Sequence, residues 1–313
     1  MIPSHVTLVE VGPRDGLQNE AQPVSAAHKI DLVQRLQAAG CREIEVTSFV
    51  SPKWVPQMAD NAQVMAGIRR APGVRYSVLT PNMKGLDAAL AAPRGQWPDE
   101  VVVFGAASEA FSQRNINCSI AESIERVAPV VAAAHAAGLK VRAAVSCALG
   151  CPYQGEVSAD EVERVVRLMK DIAVDHCGIA DTIGTGTPRA AQAVLERALK
   201  HYPPAEISGH FHDTYGQALA NILACLQIGV HTFDTSIAGL GGCPYAKGAT
   251  GNVATEDVVF MLHGMGIDTG LKLDALVDAG AAISSVLGRA PVSRVARALL
   301  AKRDVAVSAM SPA

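Results

Sequence analysis

The sequence predicts an α/β protein that folds as a (β/α)8 TIM barrel with extra C-terminal helices. Eight short runs of β-branched or apolar residues recur along the 313 residues, and helical patterns usually separate them. Some of these runs, such as Val101–Phe104, are apolar without a break, which is typical of parallel strands that helices cover on both faces. An open, doubly wound parallel sheet is the alternative that this alternation leaves.

The predicted strands are spread over most of the chain. They are Val6–Gly12, Glu43–Phe49, Arg75–Thr80, Glu100–Gly105, Lys140–Ser146, Cys177–Asp181, Glu206–Asp213 and Thr232–Ala238. The helices between them have recognisable ends. Ser25 can cap a helix over Ala26–Ala39 that stops at Gly40, and Thr187 precedes Pro188 at the first position of another helix.

The chain reads as one catalytic domain over residues 1–313, because no linker rich in Pro, Gly or Ser divides it. The barrel is expected over about 5–270. Two further helices are predicted at about Asp274–Ser285 and Val292–Ala301, and a loosely ordered tail at Arg303–Ala313. A segment with five glycines in thirteen residues, Gly239–Gly251, follows the last predicted strand, where active-site loops of barrels lie.

Composition excludes some partners. The net charge is −3 and basic residues are scattered, so nucleic acid is not expected as a partner. No run of 18 apolar residues suggests a membrane anchor, and the start of the chain resembles no targeting leader. The seven cysteines indicate a reducing compartment, and a cytoplasmic location is expected. A lone C-x3-C at Cys147 and Cys151 is weak evidence for zinc.

The segment His210-Phe211-His212-Asp213 gives the clearest functional signal. On an extended strand, side chains alternate faces, so His210 and His212 point the same way and can share a metal ion. By the same alternation Phe211 faces away from the metal, and Asp213 is expected to cap the next helix. Two histidines satisfied by backbone carbonyls are the alternative interpretation.

Other polar residues at the predicted strand ends would meet at the same mouth of a barrel. They are Arg14, Asp15 and Gln18 after the first strand, Glu45 on the second, Asp181 on the sixth, and Cys243 and Asn252 beyond the eighth. Structural roles are open for several of them. Asp15 could cap a turn, Arg14 could pair with Glu10 or Glu45, Asp181 could belong to an ion pair, and Cys243 could be a buried apolar residue.

The combination of Asp, His, His and Asn mixes hard oxygen ligands with imidazole, which favours Mg²⁺ or Mn²⁺ over Zn²⁺. Such an ion can lower the pKa of a substrate hydroxyl. The chemistry that follows is removal of that proton and cleavage of a carbon–carbon bond, with Arg14 stabilising the enolate that results.

The sequence resembles the 3-hydroxy-3-methylglutaryl-CoA lyase family of metal-dependent barrel lyases over essentially its whole length. The resemblance is carried by VEVGPRDGLQNE (9–20), TSFVSPKWVPQMAD (47–60), FGAASEAF (104–111), RNINCS (114–119), VSCALGCPY (145–153), DTIGTGTP (181–188), HDTYGQALAN (212–221) and AGLGGCPYAKGATGN (238–252). The Gly-rich loop with its cysteine distinguishes this family from related barrels. A Claisen-type synthase, a metal-dependent hydrolase and an inactive binding barrel are the alternatives.

The resemblance implies site residues and a reaction. Asp15, His210, His212 and Asn252 would bind the metal, Arg14 would contact the substrate carbonyl oxygen, and Cys243 would assist proton transfer from a mobile loop. Gln18, Glu45 and Asp181 would support them, and either Asp15 or His210 would remove the hydroxyl proton. The implied products are acetoacetate and acetyl-CoA, as in leucine breakdown and ketone-body formation.

The resemblance also implies an acyl-CoA substrate, contacted by residues 114–119, and a homodimer. Two positions depart from the family pattern. Ala180 replaces a Gly that is frequent before the Asp-Thr of the sixth strand, and Phe211 replaces a smaller residue. Ala180 adds a methyl group near the site and could reshape the substrate pocket. Whether a C3 substituent longer than methyl is accepted stays open.

Overall fold

The computed structural model describes residues 2–242 and 251–310 and contains a closed barrel of eight parallel strands in sequential order. The strands are β1 (Thr7–Glu10), β2 (Glu43–Ser48), β3 (Arg75–Leu79), β4 (Glu100–Ala106), β5 (Lys140–Ser146), β6 (His176–Asp181), β7 (Ile207–Phe211) and β8 (Thr232–Thr235). Pairing of β1 with both β2 and β8 closes the barrel. The predicted (β/α)8 fold is therefore confirmed, and the open sheet is excluded.

Helices surround the barrel within the described part of the chain. They are α1 (Ala26–Ala39), α2 (Asn61–Gly67), α3 (Met83–Leu90), α4 (Glu109–Ile116), α5 (Ile120–Ala136), α6 (Ala159–Asp171), α7 (Pro188–Ala198), α8 (Ala218–Gln227), α9 (Thr255–Gly264), α10 (Leu273–Val286) and α11 (Arg294–Met310). Ser25 caps α1 by accepting a hydrogen bond from the backbone of His28, and Gly40 ends the helix with φ 107°. None of these helices is long and apolar enough to cross a membrane.

The main apolar core lies between the sheet and the helices. Ile44, Val78, Val101 and Val141 belong to it and are fully buried. These residues come from four neighbouring strands, which explains why the strands are apolar almost throughout. The strand ends that point to the barrel mouth are consequently the places where polar side chains can gather.

Several predicted boundaries were wrong, among them that of β8, which ends at Thr235 instead of Ala238. Strand β1 ends at Glu10, and the residues that follow form a π-helix over Gly12–Gly16. Strand β7 ends at Phe211, so His212 lies just outside it. The last helix continues to Met310 instead of ending at Ala301, and the predicted loose tail is helical up to that residue.

Candidate active site

A cavity of about 1510 Å³ opens among the residues at the carboxyl ends of the strands. That end of a TIM barrel carries the catalytic groups, since eight strand-to-helix loops meet there. The predicted site residues that line the cavity come from β1, β2, β7 and the segments after them. They are Arg14, Asp15, Gln18, Glu45, His210 and His212.

The π-helix Gly12–Gly16 presents Arg14 and Asp15 to this cavity. It fits closely against the segment after β8, because a Cβ on Gly16 would lie 2.7 Å from Ser236 Oγ. Buried Glu10 connects the two segments by accepting hydrogen bonds from the backbone N–H groups of Gly12 and Ile237, each at 2.8 Å. π-Helices often mark functional sites. Here the tight packing fixes the backbone that carries the Arg-Asp pair.

Asp15, His210 and His212 form a group that could hold a metal ion, with one ligand atom from each lying within 4.8 Å of the others. Asn252 reaches the same group. Its Nδ2 donates to Asp15 Oδ2 at 2.9 Å and to the backbone oxygen of Leu240 at 3.3 Å. With Nδ2 engaged in this way, Oδ1 is the atom of Asn252 that can serve as a metal ligand.

The electrostatics of this group suit a divalent cation. Burial would raise the pKa of Asp15, but the positive charges of Arg14 and His210 lower it to about 2, so the carboxylate is ionised. Burial lowers the pKa of His212 to about 4, so its ring is neutral and keeps a lone pair. A backbone hydrogen bond with Thr182 acts against this shift without reversing it. A neutral imidazole beside an ionised carboxylate fits a metal site.

The ring of His210 forms its hydrogen bond with a carboxylate, and not with a backbone carbonyl as in the alternative interpretation. Its Nδ1 lies 3.1 Å from Oδ2 of Asp234, a residue on β8. Arg142 on β5 donates to the other oxygen of Asp234. Sequence reasoning missed both residues. An arginine within the otherwise apolar run of β5 was the signal that could have revealed the buried ion pair.

Arg14 is held between two acids. Its Nη1 donates to Asp15 Oδ1 at 2.8 Å and its Nη2 to Glu45 Oε2 at 2.9 Å. Burial lowers the pKa of Arg14, but the two carboxylates more than compensate and keep it charged. Arg14 Nε is buried with no partner in the described residues. Arg14 thus pairs with Glu45, whereas the other candidate partner, Glu10, accepts hydrogen bonds elsewhere.

Gln18 and Glu45 line the cavity, but Asp181 does not. Gln18 Oε1 and Glu45 Oε1 are buried and lack partners in the described part of the chain. Asp181 is fully buried, and its two oxygens accept hydrogen bonds from the backbone of Thr185 and Gly186 at 3.1 and 2.8 Å. Its carboxylate therefore shapes the loop after β6.

The remaining predicted positions have varied outcomes. Cys243 lies outside the described residues. Asp213 accepts a hydrogen bond from the backbone of Ala218 at the start of α8, at 3.0 Å, as expected for a residue that caps this helix. Arg114 lines the cavity and stacks on the ring of Tyr153 at 4.4 Å. It belongs to the last turn of α4, so the predicted loop from residue 114 begins one helical turn later.

Comparison with known proteins agrees with this geometry. The HMGL-like family model matches residues 5–283. The 3-hydroxy-3-isohexenylglutaryl-CoA/hydroxy-methylglutaryl-CoA lyase of Pseudomonas aeruginosa is 57% identical over 301 residues, covering 96% of this chain and 99% of that one. A crystal structure of hydroxymethylglutaryl-CoA lyase from Pseudomonas aeruginosa has a TM-score of 0.93 at 57% identity. The match covers 96% of this chain and 99% of that one. A structure of an HMG-CoA lyase from Acinetobacter baumannii, in complex with coenzyme A and 3-methylmalate, has a TM-score of 0.88 at 34% identity, with coverage of 94% and 95%.

Proposed function

Since this chain belongs to the HMGL-like family, we propose that it is a lyase that cleaves 3-hydroxy-3-methylglutaryl-CoA to acetoacetate and acetyl-CoA. One observation carries the proposal. A single cavity brings together a possible metal-binding group, a fixed arginine and several buried polar atoms without partners. Packing alone gives no reason for so many unsatisfied groups to converge, since each costs free energy unless a ligand pairs with it.

We propose Asp15, His210, His212 and Asn252 as the ligands of a divalent cation, Mg²⁺ or Mn²⁺. When bound, the cation would supply the positive charge that lowers the pKa of the substrate hydroxyl. The chemistry of the donor set supports these ions, because a carboxylate and an amide oxygen are hard ligands and complement the two imidazoles. Of the two candidates for accepting the hydroxyl proton, Asp15 is the one we propose, because both nitrogens of His210 would be engaged, one by the metal and Nδ1 by Asp234.

Arg14 has the task of stabilising the enolate of acetyl-CoA. Cleavage of the bond between C2 and C3 leaves the bonding electrons on the acetyl fragment, and negative charge develops on the thioester oxygen. Arg14 Nε is a charged donor with no other partner in residues 2–242 and 251–310. Asp15 and Glu45 hold the rest of the guanidinium in place, so this donor is oriented before the substrate arrives.

The remaining site residues have supporting roles in this proposal. Gln18 and Glu45 line the cavity, where Glu45 orients Arg14, and Asp181 supports the site through the loop that it holds. Cys243 would deliver the proton that converts the enolate carbon to the methyl group of acetyl-CoA. Arg114 lines the cavity at the end of α4, where a cation can meet the phosphates of an acyl-CoA.

We also propose a domain organisation, an oligomeric state and a cellular location. The whole chain would act as one catalytic domain, a homodimer in the cytoplasm. The cysteines of the described residues are all free, which suits a reducing compartment. Sedimentation of the purified protein tests the dimer: a single species with the mass of one chain, 32.6 kDa, would contradict it.

The test of the reaction is an assay of acetyl-CoA release from 3-hydroxy-3-methylglutaryl-CoA in the presence of Mg²⁺ or Mn²⁺. Asp15→Asn should abolish it, whereas Asp278→Asn, an exposed position on α10, is the matched control and should leave it unchanged. An analogue with a longer C3 substituent, assayed beside it, measures how much room the pocket gives. Condensation of acetyl-CoA with a 2-oxo acid, without cleavage activity, would instead indicate a synthase.

A further inference from the structure

Asp234 connects the candidate metal group to a buried arginine. It lies beside His210, since His210 on β7 and Asp234 on β8 are register partners. Asp234 Oδ2 is 3.1 Å from His210 Nδ1, and Asp234 Oδ1 accepts a hydrogen bond from Arg142 Nη2. The side chains of Arg142 and Asp234 are only 7% and 10% exposed, so solvent screens this pair weakly.

We propose that Asp234 is a positioning residue that sets the tautomer of His210 and directs the Nε2 lone pair to the metal. The inference rests on the proposed metal site. An ionised carboxylate only accepts hydrogen bonds, so the proton of a neutral His210 must lie on Nδ1. Nε2 is then unprotonated, which is the state a metal ligand requires.

Arg142 determines which oxygen of Asp234 serves His210. A guanidinium has only donors, so it occupies Oδ1 with a charge-assisted hydrogen bond and leaves Oδ2 for the imidazole. Arg142 Nη2 also donates to Ser208 Oγ at 2.9 Å, which fixes it from a second strand. The position of Asp234 is therefore set by Arg142 as well as by His210.

The substitution Asp234→Asn tests whether this arrangement sets the tautomer of His210. In Asp234→Asn the amide has one acceptor, and Arg142 requires an acceptor at the Oδ1 position. The Nδ2 donor would then face His210 Nδ1, which would have to become the acceptor. The proton would move to Nε2, and the lone pair available to the metal would be lost, although the variant keeps the size and shape of the side chain.

The experiment is a calorimetric titration of Mn²⁺ into protein freed of metal by chelation. Asp234→Asn should bind Mn²⁺ about 10- to 100-fold more weakly than the original chain, and its activity should recover in part at high Mn²⁺. Asp257→Asn is the matched control, since Asp257 is a buried acid that accepts hydrogen bonds at the start of α11 and is not among the residues that line the cavity. It should bind Mn²⁺ normally.

The outcomes separate this inference from the metal site itself. If the original chain binds Mn²⁺ and Asp234→Asn binds it equally well, the positioning role is refuted and the metal site stands. If the original chain binds no Mn²⁺, both fail. If Asp234→Asn does not fold, the tautomer can be read from the original chain labelled with ¹⁵N-histidine, with His210→Gln to assign the signal. A proton on Nδ1 of His210 supports the inference, and one on Nε2 overturns it.

Discussion

Replacement of Arg14 by methionine removes a charged guanidinium group, whose three nitrogens have different roles. Nη1 and Nη2 hold Asp15 and Glu45 at 2.8 and 2.9 Å, and Nε is the donor without a partner in the described residues. Methionine fills a similar space but donates no hydrogen bond. The variant therefore separates the catalytic use of Arg14 from its use as a counter-ion for two buried acids.

The expected catalytic loss is large. Removing one principal donor to a developing oxyanion costs about 3–4 kcal/mol of transition-state stabilisation, so kcat/KM should fall by a factor of ~10²–10³. Stability should fall as well, because breaking a buried ion pair costs roughly 3–5 kcal/mol when the remaining charge stays ionised. Burial already raises the pKa of Glu45, so this acid can take up a proton and reduce the loss.

The assay compares Arg14→Met with the double variant Arg14→Met/Glu45→Gln, by steady-state kinetics on 3-hydroxy-3-methylglutaryl-CoA and by urea unfolding. The double variant has no unpaired acid at position 45 and should regain stability while remaining inactive. If Arg14→Met kept more than a tenth of the activity, or if the double variant regained it, the enolate role would be refuted. Arg14 would then serve only to neutralise Asp15 and Glu45.

Three further predictions concern the metal, the cysteine loop and pH. Chelation should abolish activity and Mg²⁺ or Mn²⁺ should restore it; full activity in EDTA would contradict a metal site. Cys243→Ser should lower kcat with unchanged Mn²⁺ affinity, and an unchanged rate would leave the cysteine a packing role. Burial raises the pKa values of Glu10, Glu100 and Glu256 from 4.5 to about 7, 7 and 8. The folded chain thus keeps protons that the unfolded chain has released, so each group lowers the free energy of unfolding by roughly 1 kcal/mol per pH unit until the pH reaches its folded-state pKa, and has little further effect above it. Urea unfolding between pH 6.5 and 8.5 should show a decrease that levels off above pH 8, and Glu256→Gln should remove most of the decrease above pH 7; a stability that rises with pH would contradict this prediction.

Much of the fold could be predicted from local patterns, because parallel strands covered on both faces must be apolar over their whole length. The His210/His212 pair also follows from a local rule, the alternation of side chains in extended backbone. It holds even though His212 lies beyond the end of β7, since the chain stays extended enough there to form a bridge to Asn252. The two rings have their centroids 5.3 Å apart.

Asp234 and Arg142 could not be placed in the same way. Each is a charged residue within a strand, and local periodicity does not say which residue of the next strand lies beside it. That depends on register, which the closed barrel sets through the pairing of β7 with β8. The support of His210 by a carboxylate is therefore a property of the tertiary structure.

The orientation of Asp181 also depends on the register of the barrel and could not be predicted from local sequence. As a polar residue at a strand end it was expected near the barrel mouth, but the register pairs Asp181 with Phe211 and Ala180 with His210. Paired residues of a parallel sheet point to the same face, so Asp181 points away from the cavity together with Phe211, and Ala180 lines the cavity beside His210. The methyl group of Ala180 is thus in a position to limit the space near the metal group. A residue at the end of a barrel strand therefore does not reach the cavity by its position alone. Side chains alternate between the two faces of the sheet, and only those on the inner face point into the cavity.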